Sequence, residues 1–495
     1  MKRLKNLWAL ILTVVMVVAM SMTAYAAEIV INDGNADGST YSAYRLLDAE
    51  VNDEGGVAYS LNPKYAEVLK DIARAEEDNE VASYIATCTE AGSIRTFADT
   101  VYAGIKAANS ELEADCTTTT NKFENIEQGY YLVVETAVDA YDAYSLVMLD
   151  TAGKDSVTVD TKEDVPTLVK KVKETNDTAG TTTDWQDGAD YDYNDAVPFK
   201  LTGTLPSNYA SYQTYYYAFA DKLAAGLTFD EDSVVVAVDG TTIESGYEVV
   251  TTGLSNEYTF EVRFANLKNV ANVSASSTIT VEYNAVVNEN AVIGYAGNPN
   301  VAKLVFSNDP YYNGTGTEST SETPEDKVIV FTYQLDVNKV NAAGNPLKGA
   351  GFTLYKLTGT DYVAVGSEVK GADITTFEFK GLDAGSYKLV ETTVPTGYNK
   401  AEDTIFTIAA TYDTESDNPA LTGLVAKDKD GNTISGVTEA VFTISKGVFT
   451  VDIENVSGIL LPTTGGIGTT IFYIVGAALM ITAVVLLIVK KRKSN

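Results

Sequence analysis

A lysine, a glutamate and an asparagine are predicted to point into one apolar core in the last third of the chain. By strand periodicity, each shares a face with two apolar neighbours. These faces are Leu335, Val337 and Lys339; Tyr387, Leu389 and Glu391; and Val451, Ile453 and Asn455. Burial would lower the pKa of the amine and raise that of the carboxyl, so both could be neutral. A neutral amine is a nucleophile, and a protonated carboxyl can donate to a carbonyl oxygen. For each residue alone, the alternative is a strand end that faces water.

A similar set precedes it in the middle of the chain. Lys170, Asp221 and Asn308 each follow apolar residues at strand spacing. The faces are Leu168, Lys170 and Val172; Tyr217, Phe219 and Asp221; and Leu304, Phe306 and Asn308. Lys171, on the opposite face of its strand, is the competing choice for the amine. The two sets predict the same chemistry in two consecutive regions.

Three folded bodies would position these residues. Residues 27–160 combine strand patterns with helical stretches at Pro63–Ala86 and Ser93–Ala114, which indicates a mixed α/β domain. Residues 166–310 and 328–456 alternate apolar and polar residues as half-buried strands do, and a segment rich in Ser, Thr, Gly and Pro, 311–327, separates them. The expected fold class is mostly β, with two tandem Ig-like β-sandwiches after an N-terminal mixed α/β domain.

Both ends of the chain carry targeting patterns. Residues 1–26 have a basic start, an apolar stretch and a small-residue cleavage site, as a secretory signal peptide does. Near the other end, Leu461-Pro462-Thr463-Thr464-Gly465 precedes an apolar run, 467–489, and a basic tail, 490–495. The apolar run is long enough to span a bilayer, and the basic tail would stay in the cytoplasm. A plain single-span anchor is the alternative reading of this end.

Composition excludes several function classes. The chain has no histidine, so Ser-His and Cys-His catalytic pairs and the commonest zinc ligand are absent. Its net charge of −33 repels phosphate backbones, and no nucleic-acid partner is expected. The aspartates of residues 184–195 are interpreted as a solvated loop, so neither a metal site nor a cofactor is predicted. A glycosidase that uses two carboxylates remains a minor alternative.

The only two cysteines, Cys88 and Cys116, form a possible disulfide. They flank the helix expected at Ser93–Ala114, whose ends would lie about 30 Å apart. The bridge is therefore expected only if that helix is broken.

The third body resembles the collagen-adhesin B-type domain. The resemblance rests on Lys339, on Gly349-Ala350-Gly351-Phe352-Thr353-Leu354-Tyr355, on the segment from Tyr387 to Tyr398 with Glu391, and on the terminal Asn455. It implies a spontaneous isopeptide bond between Lys339 and Asn455, assisted by Glu391. The second body resembles the middle domain of Gram-positive backbone pilins, which implies a Lys170–Asn308 bond with Asp221 as the assisting acid.

The C-terminal end resembles the cell-wall sorting signal of Gram-positive surface proteins, which sortases cut between the residues equivalent to Thr464 and Gly465. In backbone pilins a lysine in a Tyr-Pro-Lys-Asn motif then attacks the sortase-bound threonine of another subunit. Here the corresponding segment is Val157–Glu163, which keeps the lysine, Lys162, but not the Tyr, Pro or Asn. Lys154, Lys171 and Lys173 are the rival candidates.

The resemblance to sortase-assembled backbone (major) pilins implies a structural subunit of a cell-surface pilus, not a turnover enzyme. Its self-catalysed bonds would each form once. The implied partners are pilus-type and housekeeping sortases, other copies of the chain head to tail, accessory pilins, peptidoglycan and host surface receptors. The implied location is the cell wall, after transient membrane anchoring. A monomeric wall-anchored adhesin that binds host matrix or glycan is the alternative.

Overall fold

The computed structural model describes residues 27–32, 39–108, 112–137, 143–160, 165–254, 258–310, 314–427, 442–458 and 474–484. The signal segment, the sorting motif 461–465 and Lys162 lie outside these residues. No helix within the described ranges is both long and apolar enough to cross a bilayer. Of the apolar run 467–489, residues 474–484 are described, and they are helical.

The N-terminal body is a three-layer arrangement of helices and two sheets. Its elements are β1 Ala27–Asn32, β2 Thr40–Val51, β3 Val57–Leu61, α1 Ala66–Ala73, α2 Asp78–Ile85, α3 Ala91–Ala107, β4 Cys116–Thr118, β5 Lys122–Ile126, β6 Gly129–Ala137, β7 Leu146–Asp150 and β8 Ser156–Asp160. One sheet has the order β3-β2-β6-β7, with β4 added to β2, and the other has the order β5-β1-β8. Leu132 and Val134 face the helices while Tyr131 and Val133 face the second sheet. Burial on both faces explains the continuous apolar run in β6.

The helices of the N-terminal body differ from the prediction at one place, and they bear on whether the two cysteines can pair. The stretch expected to be one helix at Pro63–Ala86 is two helices, because Arg74 adopts a left-handed conformation (φ 52°) that ends α1. In contrast, α3 is unbroken, and Cys88 and Cys116 pack against the cores on opposite sides of the central sheet. Both cysteines are free thiols. The condition for a Cys88–Cys116 disulfide, a broken helix, is therefore not met.

The middle body is a sandwich of two mainly antiparallel sheets. Its strands are β9 Leu168–Val172, β10 Thr175–Asn176, β11 Thr181–Thr182, β12 Gly188–Asp190, β13 Ala196–Gly203, β14 Tyr217–Leu223, β15 Leu227–Val238, β16 Thr241–Ile243, β17 Glu248–Val250, β18 Phe260–Phe264, β19 Ile279–Val287, β20 Asn298–Ser307, β21 Thr320–Glu322 and β22 Asp326–Phe331. The sheets have the orders β16-β15-β19-β13-β9 and β12-β22-β20-β14-β18-β17. The predicted boundary between the sandwiches needs a correction, because β21 lies within the segment 311–327 that was expected to be a linker and β22 begins there. The residues Val328 and Val330 of β22, expected in the third body, instead pack in the core of the middle body.

The third body is a second sandwich. Its strands are β23 Tyr333–Asn341, β24 Gly351–Thr358, β25 Asp361–Ala364, β26 Val369–Lys370, β27 Thr376–Leu382, β28 Gly385–Thr393, β29 Thr404–Tyr412, β30 Leu421–Lys427, β31 Phe442–Ser445 and β32 Val448–Asn455. The sheets have the orders β27-β23-β32-β31 and β25-β24-β28-β29-β30. The first strand, β23, and the last, β32, are parallel neighbours, with Lys339 opposite Ile453. The predicted fold class is confirmed.

A buried polar cluster joins the two sandwiches. The Lys356 Nζ atom lies 2.9 Å from Asp177 and 2.6 Å from Asp192 of the middle body, and 2.8 Å from Asp383 of its own body. Burial alone would lower the pKa of Lys356, but Asp383 and Asp192 outweigh it and raise the pKa. Next to this group, the Asp190 backbone N–H donates to Glu174. In this cluster, carboxyl groups outnumber the one amine, that of Lys356.

This excess of buried carboxyl groups predicts a pH-dependent junction. Burial, and after it the nearby negative charge of Asp190, raise the pKa of Glu174 from 4.5 to about 9. Burial also raises the pKa of Asp190 to about 6. A raised folded-state pKa means that the folded state binds the extra proton, so the stability it contributes is complete below the unfolded pKa. We expect the free energy of unfolding to fall as the pH rises from about 5 to about 9. Urea denaturation at several pH values measures it.

In the Glu174→Gln variant, whose amide resembles the protonated acid, this pH dependence should be weaker. The exposed Glu244→Gln provides the matched control and should keep the wild-type slope. Equal slopes in all three proteins would contradict the assignment.

Candidate functional site

The third sandwich brings Lys339, Glu391 and Asn455 together in its core. Strands β23, β28 and β32 deliver them, and all three side chains are buried. The Lys339 amine donates to Asn455 Oδ1 and to the Ile453 carbonyl, the latter at 2.9 Å. Asn455 Nδ2 in turn donates to Glu391 Oε1 at 2.9 Å. The structure therefore places the amine, the acid and the carboxamide in mutual contact, as the strand pattern predicts.

Burial is complete around the Lys339 amine. The side chain has 0% exposure, and the centre of the Phe352 ring lies 5.9 Å from Nζ. Burial lowers the pKa of Lys339, although Glu391, 3.5 Å away, acts in the opposite direction. The second carboxylate oxygen of Glu391 accepts from the Ala401 N–H at 2.7 Å, which fixes the orientation of the acid. The cluster thus favours a neutral amine beside a held carboxamide.

The middle sandwich buries Lys170 in the same way. Its side chain has 0% exposure, and its Nζ lies 2.5 Å from Asp221 Oδ2. Burial lowers the pKa of Lys170 against the effect of Asp221, and burial raises the pKa of Asp221 against the effect of Lys170. Both directions favour the neutral form of each partner. Lys171, the competing amine, forms ion pairs with Asp187 and Glu415 on the surface between the two sandwiches.

Asn308 is not the carboxamide of this cluster, and the prediction that it lies beside Lys170 is wrong. In the pairing of β14 with β20, Asp221 lies opposite Ala302, and Asn308 follows roughly 20 Å further along at about 3.4 Å per residue. The Asn308 side chain instead forms hydrogen bonds with Ser319 and Ser321. Its backbone carbonyl accepts from the backbone N–H of Tyr144 in the N-terminal body. It therefore supports the junction between the first two bodies.

Asn300 occupies the position that Asn308 was expected to fill. It lies opposite Leu223 in the same strand pair, so it is the diagonal neighbour of Asp221 on the buried face. Its Nδ2 donates to the Tyr283 hydroxyl at 2.8 Å, and Lys170 Nζ donates to the same hydroxyl at 2.9 Å. Both the amine and the carboxamide are thus within hydrogen-bond reach of one oxygen atom.

Sequence reasoning missed both Asn300 and Tyr283, although a signal for each was present. Asn298, Asn300 and Asn308 all share the face of Leu304 and Phe306, so alternation alone allows any of them. Asn298 is occupied elsewhere, since it exchanges hydrogen bonds with the backbone of Val292.

Tyr283 is the phenol among the inward residues of β19. The other inward residues are Ile279, Val281, Ala285 and Val287. A buried tyrosine usually needs a partner for its hydroxyl.

The candidate polymerising lysines differ in their surroundings. Lys154 is exposed and donates to the Asp150 carbonyl, whereas Lys173 lies 4.7 Å from the centre of the Trp185 ring. Lys162 and the motif residues Leu461, Pro462, Thr463, Thr464 and Gly465 lie outside the described residues.

Two comparisons with protein families match the C-terminal part of the chain. Residues 333–419 match the family described as a prealbumin-like fold domain, and residues 454–495 match the LPXTG cell wall anchor motif. The first match covers most of the third sandwich. The second includes the sorting motif.

Two relatives extend the similarity to most of the chain. The trypsin-resistant surface T6 protein of Streptococcus pyogenes serotype M6 is 28% identical over 398 residues, which is 67% of this chain and 70% of that protein. The solved structure of the T6 backbone pilin of the same serotype has a modular three-domain structure. It matches with a TM-score of 0.54 and 19% identity, over 88% of this chain and 99% of that one.

The T6 backbone pilin structure supports a shared fold. The T6 surface protein and the two family matches add similarity in sequence. The prealbumin-like domain, the LPXTG anchor motif and the three-body fold confirm the resemblance of this chain to the sortase-assembled major pilins of Gram-positive bacteria.

Proposed function

We propose that the chain is the major subunit of a covalently polymerised pilus on the cell surface. The observation that carries this proposal is the pair of buried lysine, acid and asparagine clusters in two consecutive sandwiches of a wall-anchored chain. A buried lysine is rare without a functional or structural reason, and here it recurs with the same two partner types. The T6 relative is itself described as a backbone pilin.

In each cluster the lysine amine forms an amide with the asparagine side chain. The Nζ lone pair attacks Cγ, the Cγ–Nδ2 bond breaks, and ammonia leaves with one proton that comes from the amine by way of the acid. Fixed geometry replaces the search for a partner in solution. The pairs are Lys339 with Asn455, assisted by Glu391, and Lys170 with Asn300, assisted by Asp221.

These bonds would change how tension passes through the subunit. In the third body, the Lys339–Asn455 bond would connect the first strand directly to the last. In the middle body, Lys170 and Asn300 would connect β9 to β20, which pairs with the final strand β22.

Sortase would join Thr464 of one subunit to a lysine of the next, with Lys162 as the first candidate. Such head-to-tail contacts do not close and so give filaments.

Intact mass tests the internal bonds and the choice of asparagine. Each bond releases ammonia, so the protein should weigh about 17 Da less per bond than its sequence requires. Asn300→Ala and Glu391→Ala should each abolish one such loss. Asn308→Ala, which removes an asparagine from the same face, should keep both losses. Loss of a bond in Asn308→Ala, with Asn300→Ala unaffected, would contradict the geometry.

Stability tests the constraint that the third-body bond imposes. By loop-closure reasoning, a cross-link that encloses more than 100 residues stabilises by about 5 kcal/mol. We expect Lys339→Met, which keeps an apolar stem, to lower the free energy of unfolding of this body by about that amount. The measurement is guanidinium denaturation. Lys400→Met, at an exposed lysine paired with Asp403, serves as the control and should leave the transition unchanged.

Polymerisation tests the joining lysine and separates the pilus from the monomeric adhesin. Wild-type protein released from the wall should form a ladder of multimers that resists SDS, and Lys162→Ala should abolish it. Lys154→Ala and Lys173→Ala should leave the ladder intact. A single band from the wild type would favour the adhesin, and loss of the ladder in Lys173→Ala alone would move the joint to that residue.

A further inference from the structure

Tyr283 occupies the centre of the middle-body cluster, between the three groups that react. Its hydroxyl accepts from Lys170 Nζ at 2.9 Å and from Asn300 Nδ2 at 2.8 Å, and it donates to Asp221 Oδ2 at 2.7 Å. A phenol has one proton to donate and two lone pairs that accept. All of its hydrogen-bonding capacity is therefore directed at the reacting groups.

The Asn300 side chain depends on this contact. Within the described parts of the chain, Asn300 Oδ1 is buried without a hydrogen-bond partner, and so is Asp221 Oδ1. The carboxamide is thus held through its nitrogen alone, by the Tyr283 hydroxyl. The third body differs, because there Asn455 contacts the amine through its oxygen and the acid through its nitrogen, with no hydroxyl between them.

We propose that Tyr283 is a catalytic residue of the Lys170–Asn300 reaction, which positions the carboxamide and relays a proton from Asp221 to the leaving nitrogen. This inference rests on the isopeptide bond proposed above. It assigns a reacting group that the chemistry of the third body does not use.

The proton balance of the relay is closed. The neutral Lys170 amine attacks Cγ of Asn300, and the negative charge that develops goes to Oδ1. In a planar carboxamide Nδ2 only donates, but in the tetrahedral intermediate it becomes an amine with a basic lone pair. The phenol then turns its O–H from Asp221 to Nδ2, and the protonated Asp221 carboxyl donates in its place to the phenol oxygen, so the phenol gives one proton to Nδ2 and takes one from Asp221. Ammonia leaves, the attacking nitrogen loses a proton to Asp221, and both acid and phenol regain their starting forms.

The aromatic ring makes a clean substitution possible. It packs against Phe199 at 5.4 Å, Phe260 at 4.9 Å and Phe229 at 5.7 Å between ring centres. Tyr283→Phe keeps these contacts and removes only the hydroxyl. Tyr217→Phe is the matched control, since Tyr217 is buried in the same core and its hydroxyl donates to the Thr204 carbonyl, away from the cluster.

The experiment follows bond formation in the full chain by pulse labelling, trypsin digestion and mass spectrometry of the cross-linked peptides. We expect Tyr283→Phe to form the Lys170–Asn300 bond on the order of 100-fold more slowly, as for the loss of a general acid. Tyr217→Phe should match the wild type. The Lys339–Asn455 bond should form normally in every variant and so reports that the chain was folded.

A wild-type rate in Tyr283→Phe would overturn the role of Tyr283 while leaving the bond itself in place. Absence of the Lys170–Asn300 peptide from the wild type would instead overturn the proposed bond. If Tyr283→Phe opens the middle sandwich, as trypsin sensitivity would reveal, 3,5-difluorotyrosine at position 283 keeps the ring and the hydroxyl but makes the phenol more acidic. A changed rate relative to the same analogue at position 217 supports the relay, and an equal rate refutes it.

Discussion

The removal of two lysine amines from water is the constraint around which both sandwiches are arranged. A charged amine in an apolar core is costly unless it is paired or loses its proton. In both bodies the surroundings offer one acid, one carboxamide and aromatic rings, and burial lowers the pKa of each lysine. A noncovalent ion pair at such a depth contributes little to stability. Conversion of the amine to an amide would remove the charge altogether. The free-energy cost of burying a charged lysine would then apply only to the folded chain before the bond forms.

The two clusters solve this problem differently. In the third body, the parallel pairing of β23 with β32 brings amine and carboxamide into direct contact. In the middle body, the lysine lies in one sheet and the asparagine in the other, and the Tyr283 hydroxyl fills the space between them. A lysine, an acid and an asparagine can therefore be brought together by two strand arrangements. Where the amine and the carboxamide do not touch directly, a polar group such as the Tyr283 hydroxyl bridges them.

The sequence predicted the fold class, the three bodies and the third-body cluster, because strand alternation decides which residues face a core. Alternation repeats every two residues, so it gives the face of a strand but not the position along it. For this reason Asn298, Asn300 and Asn308 could not be distinguished, and the pairing of Asp221 with Ala302 decides among them. The cysteines show the same limit, since a helix length could be estimated but not the sheet that separates the two thiols.

The side-by-side placement of the first and last strands of the third body has a consequence for evolution. If the bond between them transmits force, the strands from β24 to β31 hold the core together without carrying the pull of the filament. Substitutions of exposed residues in these strands would then leave the force-bearing connection unchanged. One covalent bond would in this way separate mechanical strength from the chemistry of the exposed surface.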